Sequence, residues 1–170
     1  MASYFLEWEQ IVTKVFEMVM NNKELLQYVC DEGPDAGPNS EVPDWSNGIF
    51  MKYVYPVPKD PNSVSTQKSF INIYVNSTYP IEGNPLYRLD YLNIDVVCHL
   101  DIWALDNGRL RPYIICDMID EMLNYKTMSE LSIQKVLNVG AKLTKFGDMF
   151  YGYKIAYKLT NPGAISCEQP

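Results

Sequence analysis

Hydrophobic positions follow two different periods along this chain, and the switches between them mark out the elements. Near the N-terminus Phe5, Trp8, Ile11, Val12, Val15, Phe16 and Val19 recur every three or four residues, with Glu7, Glu9, Lys14 and Glu17 off that stripe. The spacing predicts an amphipathic helix capped by Ser3 and running to Asn21. Asn22 offers a second cap, for a short helix through Leu25, Leu26 and Tyr28 that ends before Gly33-Pro34. Residues 31–48 hold Gly33, Pro34, Gly37, Pro38, Pro43 and Gly48 and read as a loop or extended arm. Ile49–Tyr55 and Ser69–Val75, rich in β-branched and aromatic residues, read as strands, and Asn76–Arg88, with Pro80, Gly83 and Pro85, reads as a polar insertion.

From Leu89 to Leu105 the period becomes two. Leu92, Ile94, Val96, Cys98, Leu100 and Ile102 alternate with Asn93, Asp95, Val97, His99, Asp101 and Trp103, which predicts one long strand with a wholly apolar face. Asp106-Asn107-Gly108 supplies a turn, and Pro112 suits the first turn of a helix over 111–125 that lays Ile115, Met118, Ile119, Met122 and Leu123 across that face. Leu137, Val139, Ala141 and Leu143 alternate next. After Phe146-Gly147-Asp148 so do Met149, Tyr151, Tyr153, Ile155, Tyr157 and Leu159, predicting a C-terminal β-hairpin. Strands interrupted by single helices imply an α+β fold with a mainly antiparallel sheet. One domain is expected over 1–170: N-terminal helices in 1–30, a loop or arm over 31–48, the sheet with its central helix over 49–160, and a frayed tail over 161–170.

At 170 residues and 47% hydrophobic, the chain is long enough to bury a core without covalent staples. Fourteen basic residues stand against 21 acidic ones, and the net charge of −7 disfavours binding that works by neutralising phosphates. Lys135, Lys142, Lys145, Lys154 and Lys158 form a local exception. Cys30, Cys98, Cys116 and Cys167 include no C-x-x-C pair, so reduced thiols in a cytosol are expected. The first ten residues carry acids where a secretory leader would carry bases, and no uncharged apolar stretch approaches the ~20 residues needed to cross a bilayer. A soluble protein without a membrane partner is expected.

Asp95, His99 and Asp101 share one side of the long strand and invite a metal-site reading. Residues two apart on a strand are separated by about 7 Å, so Asp95 and His99 would lie about 13 Å apart and could not share an ion. Asp117, Asp120 and Glu121 fall on the polar side of the central helix, where solvated acids are ordinary. Tyr151, Tyr153 and Tyr157 with Lys154 and Lys158 could form a stacking platform for nucleic acid, but alternation groups the tyrosines with Ile155 and Leu159 as core or subunit interface. With one histidine and no hydrolase, nucleotide-binding or metalloprotease motif, no catalytic, cofactor-binding or metal residue is assigned, and the chain is expected not to be an enzyme. The opposing class is a small metal-dependent hydrolase or nuclease using Asp95, His99, Asp101 or the helix acids; a host adaptor or binding module is a third.

Tyr91–Trp103 with its Asp101-Ile102-Trp103, the helix Arg111–Leu123 and the hairpin ending Tyr153–Leu159 resemble the tail terminator, or tail-completion, proteins of tailed bacteriophages. The likeness covers roughly residues 1–160 in element order. It implies a virion protein of the tail or neck, assembled in the host cytoplasm as a homohexameric ring. Such a ring seats on the last ring of tail-tube protein, stops tube growth and meets a head connector or stopper protein, while DNA passes through its lumen without specific binding. The proline-rich segments 31–48 and 76–88 go beyond a minimal member and leave open another neck, connector or tail ring component. Candidate interface residues are Trp45, Tyr79, Tyr87, His99, Asp101 and Trp103.

Overall fold

The structure, a computed structural model, describes residues 4–43, 49–63, 66–81, 84–131, 133 and 135–160, with side chains for these except Tyr4, Phe5, 77–88 and Glu130. Helices α1 (Tyr4–Asn21), α2 (Lys23–Cys30) and α3 (Arg111–Leu123) lie on one face of a five-stranded sheet. Its strands are β1 (Val54–Tyr55), β2 (Ser69–Ile81), β3 (Asn84–His99), β4 (Lys135–Lys145) and β5 (Phe150–Thr160), in the spatial order β1-β2-β3-β5-β4. Only β1 runs parallel to its neighbour, so the fold is α+β with a mainly antiparallel sheet. Asn22 caps α2 as expected, its Oδ1 accepting from the Leu25 amide at 3.1 Å.

The helix-side core joins Ile11, Val15 and Val19 of α1 to Leu92, Ile94, Val96 and Cys98 of β3 and to Ile115, Ile119 and Leu123 of α3. Helix α3 also buries Ile114, while Met118 and Met122 are only half-buried, so its contact face is rotated from the expected one. Asn107-Gly108 makes the turn before it, with Gly108 at φ 79.

Four expectations are corrected. The long strand does not run from Leu89 to Leu105: it starts at Asn84 and ends at His99, where Leu100–Ile102 turn into a 3₁₀ segment and Leu100 is left 43% exposed. Ile49–Tyr53 is a turn, because the Ile49 carbonyl accepts from the amides of Lys52, Tyr53 and Val54, and only Val54–Tyr55 pair with β2. The supposed insertion Asn76–Arg88 belongs to paired strands. Ser77 lies opposite Tyr91, Pro80 opposite Arg88 and Ile81 opposite Asn84, with irregularities after Val75 and Pro80. Finally, the register of β4 shifts between Asn138 and Gly140, whose φ is 146, so Val136 rather than Leu137 enters the core, Val139 is 51% exposed, and Ala141 and Leu143 move onto the face that carries Val136.

Candidate interaction surface

The six residues singled out from the sequence are not brought together. Trp45 lies outside the described residues. Tyr79 and Tyr87 stand at the tip of the β2–β3 ribbon, past Asp90, where β3's pairing with β5 begins. His99, Asp101 and Trp103 mark the opposite end of β3, about 35 Å away at the rise of an extended strand. Two separate regions replace one patch.

At that second end the side chains are mostly engaged within the subunit. His99 is half-buried with its ring edge-on to Phe150 at 5.0 Å, and its Nδ1 accepts from the Asp101 amide at 3.2 Å. Exposed Asp101 accepts from Gln67 and stands 3.5 Å from the His99 ring nitrogen. Trp103 packs, half-buried, against the helix-side core, so a charge placed there would disturb folding as well as any contact.

The polar side of β3 is covered over most of its length. Asn93 is 5% exposed, Asp95 2% and Val97 fully buried. Tyr55, Phe70, Val97 and Phe150 make a second small core on this face. Beside it Asp95 receives the Tyr74 hydroxyl at 3.2 Å and the Asn72 amide at 3.4 Å, and Lys154 Nζ lies 3.9 Å away. Residues 72, 95 and 154 are direct cross-strand neighbours, which is how three polar side chains meet on a covered face. Burial pushes the Asp95 carboxyl above its ordinary value, and Lys154, Asn72 and Tyr74 pull it back part of the way.

The central-helix acids are not uniformly solvated either. Asp120 accepts from Asn138 at 2.6 Å and Tyr157 at 3.1 Å through one oxygen, and from Asn124 at 3.1 Å through the other, tying α3 to β4 and β5. Among the described residues no three His, Cys, Asp or Glu side chains lie close enough to hold a metal ion, and no helix is long and apolar enough to cross a membrane.

Two openings among the described residues lie on the rims. One is an apolar groove of about 610 Å³ along β2, where Trp8 and Val12 of α1 face Pro56, Val57 and Pro58. The other, of about 470 Å³, is lined by Arg109, Leu110, Tyr113, Ile114 and Asp117 at the N-terminal end of α3. The C-terminal end of α3 is held to the start of β4 by the Tyr125 amide on the Val136 carbonyl and the Val136 amide on the Lys126 carbonyl, while residues 140–143 farther along β4 are exposed. Leu143 is 56% exposed there, Leu110 and Tyr113 at the N-terminal end of α3 are 41% and 52% exposed, and the Tyr153 hydroxyl donates to that of Tyr113 at 2.7 Å. This corner is missing from the sequence-based set. Its one legible signal is the run of lysines from Lys135 to Lys158.

The YomW protein-family model matches residues 22–159, which takes in every element of the sheet. No curated protein matches the chain.

Proposed function

The chain belongs to the YomW family, of Bacillus phage-region type, and is a phage-associated protein; from that premise we propose that it is a structural protein of a tailed-phage particle, acting by assembly rather than catalysis. The specific role is that of a tail terminator: a homohexameric ring in the tail or neck that ends the tail tube, meets the head connector or stopper, and lets DNA pass through its lumen.

The β2–β3 ribbon carries this reading. Tyr79–Ile81 and Asn84–Leu89 continue past the first β3–β5 pair, and among the described residues no third strand joins them on either side. A two-stranded ribbon is marginal in water by itself. Pro80 and Pro85, which have no amide hydrogen to donate, suit strands whose outer edges lack a partner within the subunit. An element of this kind is stabilised by lying against a neighbour. The net charge of −7 is also compatible with a lumen that does not grip DNA.

Light scattering on the purified chain tests the reading directly. A particle near six times the 19.6 kDa chain mass, seen as a ring in electron micrographs, is expected. A protein that stays monomeric across the accessible concentration range and instead shows Mg²⁺- or Mn²⁺-dependent hydrolysis refutes it.

A further inference from the structure

Strand β1 stops after two residues. Pro56 and Pro58 follow Tyr55 and have no amide hydrogen with which to continue the ladder, so past Asn72 the outer edge of β2 pairs with no strand among the described residues. Beside that edge runs the groove of about 610 Å³, with Trp8 and Val12 of α1 on one wall, Val57 on the other and Val75 of β2 between them. An open edge next to apolar walls suits an extended segment, which gains main-chain bonds from the strand and apolar contacts for alternate side chains.

The chain itself supplies such a segment close by. Strand β5 ends at Thr160, and Leu159 is the direct cross-strand neighbour of Asp90. The Asp90 carboxylate accepts from the Trp8 indole at 3.3 Å, so a single side chain links the end of β5 to the wall of the groove. Asp90 lies opposite Thr78, and Val75 is three residues back along β2. Two strand spacings across and three residues along place the groove about 15 Å from Thr160. Residues 161–170 lie outside the described residues; ten residues reach about 33 Å when extended, so about five cover the distance and the rest are left to lie in the groove. Asn161-Pro162-Gly163 supplies turn residues for the change of direction. Ala164-Ile165-Ser166-Cys167 is uncharged, and in an extended strand Ile165 and Cys167 fall on one side.

We infer that the segment after Thr160 is the occupant of this groove, residues 165–167 adding to the open edge of β2 as a short strand with Ile165 among the apolar walls. Entering from the Thr78 end, the added strand runs antiparallel to β2. Docked there, it covers an edge and an apolar surface that otherwise invite pairing between chains. The inference stands apart from the ring reading.

Thiol cross-linking in the full-length chain tests it. Cys167 is the natural partner for Val57→Cys, placed in the groove at a position 52% exposed. Lys135→Cys is the reference, since Lys135 is exposed and directly opposite Thr160, nearer to the start of the segment than the groove is. Mild oxidation followed by peptide mass spectrometry gives the rate at which each introduced thiol couples to Cys167 of the same chain. Val57→Cys should couple at least about tenfold faster than Lys135→Cys, because docking raises the effective concentration of the two thiols, and adding Ile165→Asp should abolish the difference. If circular dichroism shows that Val57→Cys does not fold, Thr13→Cys on the opposite wall, also exposed, takes its place. Equal rates at the groove and the reference, or a preference that Ile165→Asp leaves intact, overturn the inference. Coupling found only between two chains overturns it as well, and assigns the groove to the segment of another copy.

Discussion

Arg111 is fully buried, its hydrogen bonds among the described residues all go to backbone carbonyls, and replacing it should cost more than replacing an exposed charge. Its Nε donates to the Ile102 carbonyl at 2.9 Å and Nη1 to the Tyr28 carbonyl at 3.0 Å, while Nη1 and Nη2 also reach the Asp31 and Gly33 carbonyls. The guanidinium thus closes the C-terminal end of α2, satisfying carbonyls that the helix leaves without partners and meeting the negative end of its dipole. Arg111→Met keeps most of the volume and orphans four acceptors. At about 1 kcal/mol each the loss is about 4 kcal/mol, and release from burying a charge returns part of it, leaving a net of about 3 kcal/mol. With a urea dependence of about 2 kcal/mol per molar for a domain of this size, the unfolding midpoint should fall by about 1.5 M. Arg111→Lys keeps the charge but has one ammonium to serve acceptors on two separate segments, and should recover less than half of the loss. Urea titrations followed by tryptophan fluorescence and circular dichroism give both values. A midpoint shift under about 0.5 M for Arg111→Met would show that the carbonyls find other partners and that the guanidinium is not what closes the helix.

Two further substitutions probe the sheet. A Cβ at Gly152 would sit 1.8 Å from the Val96 carbonyl oxygen, a backbone atom, so Gly152→Ala must push β5 from β3; overpacking of this kind costs about 2 kcal/mol, and calorimetry should show a melting temperature lower by about 6 °C, an unchanged value meaning that the strands part freely. Asp95→Asn tests the covered polar cluster by pH. Because burial raises the Asp95 pKa in the folded state, its stability contribution is full below the ordinary carboxylate range and is lost as pH rises through the raised value. The melting temperature of Asp95→Asn relative to the parent should therefore climb between about pH 4 and pH 7; a difference that falls over that span would mean that the Lys154 pairing outweighs burial.

What could be read from the sequence was whatever a short window of residues decides. Asn22 caps α2, Asn107-Gly108 turns the chain before Pro112, and the stripe from Trp8 to Val19 places α1, because each depends on neighbours within a turn or two. The failures all involve partners far along the chain. Alternation in β3 separates two faces but does not say that both are covered, since Asp95 is buried by residues from β2 and β5. Pro80 and Pro85 look like loop signals until the strands around them prove to have outer edges with no partner among the described residues. The alternation from Leu137 to Leu143 continues in the sequence while the bulge at Gly140 reverses its phase in space. Nothing near Arg111 announces that its acceptors lie about 80 positions earlier.

Both faces of β3 are covered from Leu92 to Cys98, so a partner cannot reach that strand without displacing what lies over it. A site at Asp95 would have to displace Tyr74 and Lys154 and expose a carboxylate now held by three side chains. The rims also differ in what they can recognise. The β2 groove is lined mainly by apolar side chains and prolines and suits an apolar segment, while the β4 edge combines exposed leucine and tyrosine with lysines in a chain that is otherwise acidic.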